Sequence, residues 1–258
     1  MRCKITIAVA LLAFVATGLA FAADAPAPAA PAAAPAPAPK LIASYDAAKV
    51  DPPQNPKEQG WIESNGCALR AEARPLAKDA GGFSAWQIID DDDAGDEDLY
   101  YRANMADDIQ SNAYENGFTL RWRVRIIDEW APNRSISTEV CVGSPTGRLR
   151  FCFFLGRDEK TVQVQSILAR EADGMPSASL EVPNPDGYHM WTFIFDGAKN
   201  GSKGTLYVDG KVILTGKFNF IDNGDALCFG SKSTGRNVGH WSLVEFYTGK
   251  LPAPTPGK

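Results

Sequence analysis

Histidine is scarce in this chain, which contains only His189 and His240 among its 258 residues. Two histidines so far apart in the sequence predict neither a metal site nor a catalytic triad. The Gly-x-Ser-x-Gly pattern that presents a nucleophilic serine is absent as well. The usual serine-hydrolase motifs are therefore excluded, and we expect His189 to make a structural hydrogen bond.

Positive charge is also in short supply. Lysine and arginine number 26 against 31 aspartate and glutamate residues, which gives a net charge of −5 and a pI of about 5.2. A nucleic-acid-binding domain normally carries a basic face, so we expect no nucleic-acid partner. No run of charges resembles a membrane-binding face either.

Long hydrophobic runs are limited to residues 5–21, which Arg2 and Lys4 precede. This run is short for a bilayer span of ~20 apolar residues. The positive start and the small residues at the exit are typical of a secretory signal. We predict that residues 1–23 are a signal peptide removed near Ala22, the alternative being a transmembrane anchor. Export implies a secreted, periplasmic or cell-surface protein with no membrane span after cleavage.

Composition divides the remaining chain into three parts. Residues 24–39 are almost entirely Ala and Pro, which indicates an extended spacer. Residues 251–258 form a shorter Pro-rich tail of the same kind. Between them, residues 40–250 contain no internal linker or repeat and have a normal size for one β-sandwich domain.

The segment Tyr188–Gly216 is the most informative part of the chain. Apolar residues alternate with polar ones on both sides of the dipeptide Asp209-Gly210. Asp-Gly between two such runs predicts a β-hairpin, because both turn residues need positive φ.

The clearest single strand is Phe118–Ile127. Phe118, Leu120, Trp122, Val124 and Ile126 share one face, which places Trp122 in the core; by the same alternation Trp86 and Trp191 are core residues. No helix is predicted. About a dozen short strands indicate an all-β, two-sheet antiparallel jelly-roll sandwich. The remaining predicted strands are Ala68–Ala71, Trp86–Asp90, Leu99–Ala103, Ile136–Val142, Leu149–Leu155, Thr161–Leu168, Tyr188–Phe195, Thr205–Val208, Lys211–Thr215, Ala226–Phe229 and Trp241–Tyr247.

A set of short motifs between residues 58 and 248 points to a known family. The motifs are Gly60-Trp61, Trp86-x-Ile88-x-Asp90, Tyr100, Gly117-Phe118-Thr119-Leu120, Tyr188-His189-x-Trp191, Phe195-Asp196-Gly197, Gly204–Gly210 and Cys228-Phe229-Gly230-Ser231. In these motifs the chain resembles the concanavalin A-like lectin/glucanase superfamily, which includes laminin G-like and pentraxin-like modules. The resemblance implies a concanavalin A-like jelly roll, a calcium ion near a loop edge and a ligand on the concave sheet. It implies little about activity, because many functions share this fold.

The segment Asp90–Asp98 concentrates negative charge. A hard cation such as calcium, which accepts six to eight oxygen ligands, would relieve the repulsion. The spacing does not match an EF-hand, and the alternative is a solvated acidic loop. The predicted calcium ligands are Asp90, Asp92, Asp93, Asp96 and Asp98.

Arg121, Arg123 and Arg125 share the second face of the strand that carries Trp122. Guanidinium groups bind carboxylates with two parallel hydrogen bonds, so this stripe is a candidate site for an acidic sugar. Trp130, in the following loop, is a candidate stacking platform. The alternative is a cross-strand ladder in which Glu139 pairs with the stripe. Arg148 and Arg150 would extend either arrangement.

Four cysteines remain after signal removal: Cys67, Cys141, Cys152 and Cys228. An even number in an exported chain predicts disulfides, with three possible pairings. A hairpin centred on Thr146-Gly147 would place Cys141 opposite Cys152, which leaves Cys67 with Cys228. The alternative is four buried thiols, since a register shift of one residue removes the alignment.

Catalytic motifs of the resembled superfamily are absent. No Glu-x-Asp-x-x-Glu segment of the glucanases is present, and Arg121–Arg125 lacks the glutamate of the lyase strand motif. We therefore expect a secreted lectin-like module that binds a carbohydrate without catalysis. The alternatives are a glycoside hydrolase or another polysaccharide-active enzyme on the same scaffold, and a protein-binding or structural surface module.

Overall fold

The structure is a computed structural model that describes residues 38–65, 72–78, 81–90, 99–128, 136–144, 147–166, 177–219, 221, 224–231 and 237–256. Within these residues, fifteen β-strands form two antiparallel sheets that pack face to face. The predicted two-sheet jelly-roll sandwich is confirmed. The predicted signal peptide lies outside the described residues, as does the Ala/Pro-rich spacer up to residue 37.

Most predicted strands appear within a few residues of their expected bounds. The sequence analysis missed four others, and the predicted strand Ala68–Ala71 lies outside the described residues. The strands are β1 (Lys40–Asp46), β2 (Ile62–Asn65), β3 (Glu72–Leu76), β4 (Ala85–Asp90), β5 (Leu99–Ala103), β6 (Phe118–Ile126), β7 (Ile136–Ser144), β8 (Gly147–Arg157), β9 (Thr161–Ser166), β10 (Ser177–Glu181), β11 (Tyr188–Phe195), β12 (Lys203–Val208), β13 (Lys211–Lys217), β14 (Leu227–Gly230) and β15 (Asn237–Thr248).

We call the two sheets the arginine sheet and the cysteine sheet. The arginine sheet has eight strands in the order β13-β12-β11-β6-β15-β4-β3, with β1 beside β15. The cysteine sheet has seven strands in the order β10-β9-β8-β7-β14-β5-β2. Because β6 lies between β11 and β15, its side chains occupy the middle of the arginine sheet.

The core lies between the sheets and is rich in aromatic rings. Trp122 stacks on its neighbour Trp191 with ring centroids 6.0 Å apart, and on Phe153 of the cysteine sheet at 5.7 Å. Trp122 and Trp191 are fully buried, and Trp86 is 5% exposed. The prediction that these three tryptophans belong to the core is confirmed.

One α-helix, α1 (Asp107–Asn116), contradicts the expectation of no helix. Its buried residues are Gln110 and Ala113, and Ile109 and Tyr114 pack partly buried against the core, so its apolar stripe is short and includes a polar residue. Gln110 donates to the carbonyl oxygen of Met105 at 2.7 Å, and Gly117, at φ 93°, follows the last turn. None of the described helices has the length and apolar character that a bilayer span requires. Three short 3-10 helices lie in the described ranges, at Ala47–Lys49, Pro56–Gln59 and Ala198–Asn200.

The hairpin predicted at Asp209-Gly210 is confirmed. Val208 at the end of β12 pairs with Lys211 at the start of β13. Asp209 has φ 49° and Gly210 has φ 79°, as a two-residue turn of this kind requires. The turn brings the Asp209 side chain to the end of β11.

The hairpin of β7 and β8 corrects the predicted cysteine register. Ser144 pairs with Gly147, so the turn comes one residue earlier than expected. Cys141 consequently lies opposite Arg150 instead of Cys152. Both cysteines are buried thiols, and the described residues contain no disulfide between them. The predicted Cys141–Cys152 pairing is therefore wrong, because a slip of one residue moves each sulfur two positions along the partner strand.

The predicted Cys67–Cys228 disulfide followed only from the Cys141–Cys152 pairing, so the structure gives no support for it. Cys67 lies outside the described residues, so its pairing with Cys228 stays a prediction. Cys228 itself is buried on β14, where it pairs in register with Glu139.

Candidate functional site

Arg121, Arg123 and Arg125 lie on the outer face of the arginine sheet, as the period-two alternation predicted. Each is half-buried, while Trp122 and Val124 between them are fully buried. The three guanidinium groups have different surroundings, which separates their roles.

Arg121 is part of a cross-strand ion pair. Its Nη1 lies 3.3 Å from Oε2 of Glu245, which is directly opposite on β15. The predicted ladder therefore exists at this position, but its partner is Glu245. Glu139 could not serve, because it lies on β7 in the cysteine sheet.

Arg148 and Arg150 do not extend the arginine stripe, because both lie on β8 of the cysteine sheet. The Nη2 atom of Arg150 is 2.7 Å from Oε2 of Glu139. Arg148 lies 3.9 Å from the carboxylate of Asp107 on α1. The expected extension of the stripe is wrong, since residues far apart in the sequence were assigned to one face without knowledge of the strand order.

Arg125 is held by the loop that precedes β11. Its Nε donates to the carbonyl oxygen of Asp186 at 2.6 Å. Tyr188, the first residue of β11, lies opposite Arg125 in register. This contact orients the Arg125 side chain toward the loop.

Arg123 has no carboxylate partner. Its guanidinium carbon lies 4.5 Å from the ring centroid of Phe83, a favourable cation–π geometry. No hydrogen bond or ion pair joins the Arg123 side chain to another residue in the described part of the chain. Burial, and after it the charge of Arg121, lower the pKa of Arg123, while Asp46, Glu245 and Asp209 act more weakly in the opposite direction. Arginine still carries its charge near neutral pH, so Arg123 is a cation without a direct ion-pair partner among the described residues.

A cavity of about 430 Å³ lies against Arg121 and Arg123. Met190 and Thr192 of β11 complete its wall on the arginine sheet, and the turn Asp209-Gly210 also lines it. The remaining lining comes from Leu251–Thr255 in the C-terminal tail. The volume is within the ~300–1,000 Å³ range of small-ligand sites. We call this space the arginine cavity.

The tail packs on the arginine sheet, although the sequence suggested only a spacer. We call Leu251–Pro256 the strap. At its start, the amide of Leu251 donates to Oγ1 of Thr119 at 2.9 Å. At its far end, the strap backbone lies so close to Gly210 that a Cβ atom added to Gly210 would be 2.5 Å from the nitrogen of Pro256. The strap therefore contacts both ends of the arginine cavity.

Asp209 links the arginine cavity to His189. Its Oδ2 lies 2.7 Å from Nδ1 of His189, and its Oδ1 accepts from the amide of Met190 at 2.9 Å. Burial raises the pKa of Asp209, but the hydrogen bonds from His189 and Met190 outweigh it, so the net change is downward. The other ring nitrogen, Nε2, lies 2.9 Å from the carbonyl oxygen of Asn184. The structural hydrogen bond expected for His189 is therefore present.

The predicted calcium ligands are mostly outside the described residues. Asp92, Asp93, Asp96 and Asp98 fall in the segment 91–98, and Trp130 is also undescribed. Asp90 is 1% exposed and accepts from the Ser231 hydroxyl at 2.5 Å. Within the described ranges, no group of three or more His, Cys, Asp or Glu side chains is arranged to hold a metal ion. Calcium binding by this segment stays a prediction.

No protein-family model matches the sequence, and no curated protein matches it. Among solved structures, the chain is similar to a carbohydrate esterase from the Shiga toxin-encoding bacteriophage phi24B. That comparison has 18% identity and a TM-score of 0.63, and it covers 83% of this chain and 100% of the esterase.

The chain is also similar to botulinum neurotoxin type C, with 14% identity and a TM-score of 0.50. The match covers 83% of this chain and 49% of the neurotoxin chain, so this chain spans about half of it. At these identities the similarity shows a shared β-sandwich fold, and function must be argued from the site.

The arginines of the site were predictable from the sequence, but the residues that form its other walls were not predicted. Asp209 was assigned only a turn, and the strap only a spacer. The alternation of Met190 and Thr192 with core residues of β11 was a usable signal for the face they share with Arg123. Nothing in the sequence of the strap indicates where it docks.

Proposed function

We propose that this chain is an exported, concanavalin A-like module that binds an acidic carbohydrate in the arginine cavity without catalysis. The observation that carries the proposal is Arg123, a positive charge without a direct ion-pair partner among the described residues, which lines a cavity of about 430 Å³. A ligand carboxylate would supply the missing counter-charge through two parallel hydrogen bonds.

The neighbouring groups suit a sugar acid. Thr192 offers a hydroxyl for the sugar hydroxyls, and Met190 offers apolar surface for the ring. Asp209 and Arg121 already have partners in His189 and Glu245, so Arg123 is the group that discriminates by charge. The fold similarity to a carbohydrate esterase and to a neurotoxin that interacts with two ganglioside molecules supports a carbohydrate ligand.

Replacing Arg123 by Met tests the proposal. The change keeps an apolar stem and removes the charge, so binding of uronic-acid glycans should fall by at least tenfold, because one charged hydrogen-bonded contact contributes about 1.5–3 kcal/mol. Binding is measured on a glycan array that contains matched acidic and neutral sugars, and affinities are confirmed by calorimetry.

The matched control is Arg125→Met, on the same strand and the same face but oriented toward the 182–187 loop. It should leave acidic-glycan binding within about twofold, which is ~0.4 kcal/mol. Equal losses in both variants, or binding of Arg123→Met at the wild-type level, would contradict the assignment.

A polysaccharide esterase is the second candidate, and the carbohydrate-esterase neighbour favours it. Against it, both ring nitrogens of His189 already face oxygen atoms, at 2.7 and 2.9 Å. His189 is thus poorly placed to act as a general base. Release of acetate from acetylated polysaccharide would establish this alternative. Calcium binding and export are separate predictions on which the acidic-carbohydrate site does not depend.

A further inference from the structure

The start of the strap is fixed by polar contacts. The Gly249 amide donates to the carbonyl oxygen of Gly117 at 2.9 Å, just before the strap begins. Lys250 Nζ lies 3.0 Å from the Asp196 carboxylate, and Leu251 donates to Thr119. These bonds attach the chain to the ends of β6 and β11, so any movement of the strap must pivot beyond them.

The rest of the strap has no such attachment. Pro252, Pro254 and Pro256 have no amide hydrogen to donate. Within the described part of the chain, no hydrogen bond or ion pair holds any residue from Pro252 to Pro256. Among the described contacts, the far end is held by the close approach of Thr255 and Pro256 to Gly210. Lifting this end therefore breaks none of the described hydrogen bonds.

The strap reaches the level of Arg123. Five residues of extended Pro-rich chain span ~15 Å, and the four steps from Thr119 to Arg123 along β6 span ~13 Å. The strand register also places the far end of the strap near Arg123. Met190 lies opposite Arg123 on β11, and its carbonyl oxygen accepts from the amide of Asp209, the residue before Gly210, at 2.9 Å. The contact between the strap and Gly210 is therefore close to Arg123.

We propose that the strap is a lid on the arginine cavity, hinged at Leu251, and that an acidic polysaccharide reaches Arg123 only when the far end lifts. This inference rests on the proposed function of the same cavity. A site that is open for a fraction of the time binds with an affinity reduced by that fraction. Weakening the contact at Gly210 should therefore tighten binding, although Arg123 and Thr192, the groups proposed to bind the ligand, are unchanged.

Gly210→Ala is the test variant, and Gly201→Ala is its matched control. Both glycines have positive φ, 79° and 89°, so alanine strains the backbone similarly at either position. A Cβ on Gly210 would overlap the strap backbone at 2.5 Å, whereas a Cβ on Gly201 would meet nothing within 4 Å. The two variants differ in their effect on the strap.

The first measurement needs no ligand. The chain has four methionines, and Met190 lines the arginine cavity, so ¹³C-methyl methionine spectra of the whole chain report on the lid. The Met190 methyl resonance should move in Gly210→Ala and keep its wild-type position in Gly201→Ala. An unmoved Met190 resonance in Gly210→Ala, with folding intact by circular dichroism, overturns the lid.

The second measurement is the affinity for polygalacturonate, determined by calorimetry. Gly210→Ala should bind roughly three- to tenfold more tightly than Gly201→Ala, as expected if the lid is open for a minor fraction of the time. If the Met190 resonance has moved but binding is unchanged or weaker, lifting the strap does not increase access of the ligand to Arg123, and the proposed gating is wrong.

The two proposals fail in different ways. If wild type and both variants do not bind polygalacturonate, the acidic-carbohydrate function fails and the gate for this ligand fails with it, even if the Met190 resonance shows that the strap lifts. If wild type binds and Arg123→Met does not, the function stands and the Gly210→Ala affinity alone decides the gate.

Discussion

Arg123 and Arg150 stand on the outer faces of interior strands, one on each sheet, but only Arg150 has a carboxylate partner. Arg150 pairs at 2.7 Å with Glu139, which is fully buried, whereas Arg123 faces a cavity and the ring of Phe83. The cysteine sheet has therefore used its arginine for an internal ion pair. On the arginine sheet, Arg123 has no ion-pair partner among the described residues.

The two faces also differ in how they are covered. On the cysteine sheet, Gly224 is so close to Glu139 and Cys141 that a Cβ on Gly224 would overlap both side chains. On the arginine sheet, the strap encloses the arginine cavity between itself and Arg123. The covering segment thus lies against the charged group on the cysteine sheet and is separated from it by a cavity on the arginine sheet.

The largest expected effect is the difference in stability between the variants Arg150→Met and Arg123→Met. Arg150→Met leaves the Glu139 carboxylate buried without its cation, which should lower the free energy of unfolding by about 3 kcal/mol. Arg123→Met loses only a half-exposed cation–π contact and should cost no more than about 1 kcal/mol. Urea unfolding of both variants, followed by circular dichroism, measures the difference.

The double variant Glu139→Leu/Arg150→Met is the control for this prediction. Replacing both partners by apolar side chains of similar size removes the stranded charge, so it should recover most of the lost stability. A double variant no more stable than Arg150→Met would show that the ion pair itself is not the source of the effect.

The second prediction concerns the close contact of Gly224 with Glu139 and Cys141 on the outer face of the cysteine sheet. Gly224→Ala forces the segment around residue 224 away from Glu139 and Cys141 and should cost about 1–3 kcal/mol. Cys141, buried in the wild type, should then react faster with iodoacetamide, as judged by mass spectrometry of the Cys141 peptide. Gly201→Ala, where a Cβ meets nothing, should leave the labelling rate unchanged.

The sequence predicted the faces of individual strands well because alternation is a local property. The inward position of Trp122, the outward position of Arg121 to Arg125 and the turn at Asp209-Gly210 all depend on neighbours only a few residues away. Strand order depends on contacts far along the chain. Glu139 was therefore assigned to the arginines, although Glu245 occupies the neighbouring strand.

The cysteine register shows that an error of one residue in a turn is enough to give a wrong disulfide prediction. The turn between β7 and β8 was predicted one residue late, which placed Cys141 opposite Cys152 in the predicted register.

The helix α1 was not predicted for another reason. Its core-facing side is short and includes the polar residue Gln110 beside Ile109, Ala113 and Tyr114, which gives only a weak amphipathic pattern. The strap was missed because Pro-rich sequence indicates extension, and a long-range contact with Gly210 decides where it docks.

The smallest expected effect compares one turn aspartate from each sheet. Asp158, before β9, accepts hydrogen bonds from the Lys160 amide and from Thr161, which lower its pKa to about 2. Asp209 has a pKa that hydrogen bonds from His189 and Met190 lower despite burial. A carboxylate with a lowered folded pKa stabilises the fold above its unfolded pKa of about 3.9, and this contribution disappears as pH falls through the folded value.

Asp158→Asn and Asp209→Asn should therefore destabilise the protein at pH 7, and the difference from wild type should shrink between pH 4 and 2 as the wild-type carboxylates become protonated. For Asp209, which is 44% exposed, we expect less than about 1 kcal/mol. The Asp158 difference should persist to lower pH, toward about 2. Urea unfolding at pH 7, 4, 3 and 2 measures both differences. If the Asp209→Asn difference is as large at pH 2 as at pH 7, the negative charge of Asp209 is not its source. The substitution would then act by changing the conformation of the turn beside the arginine cavity.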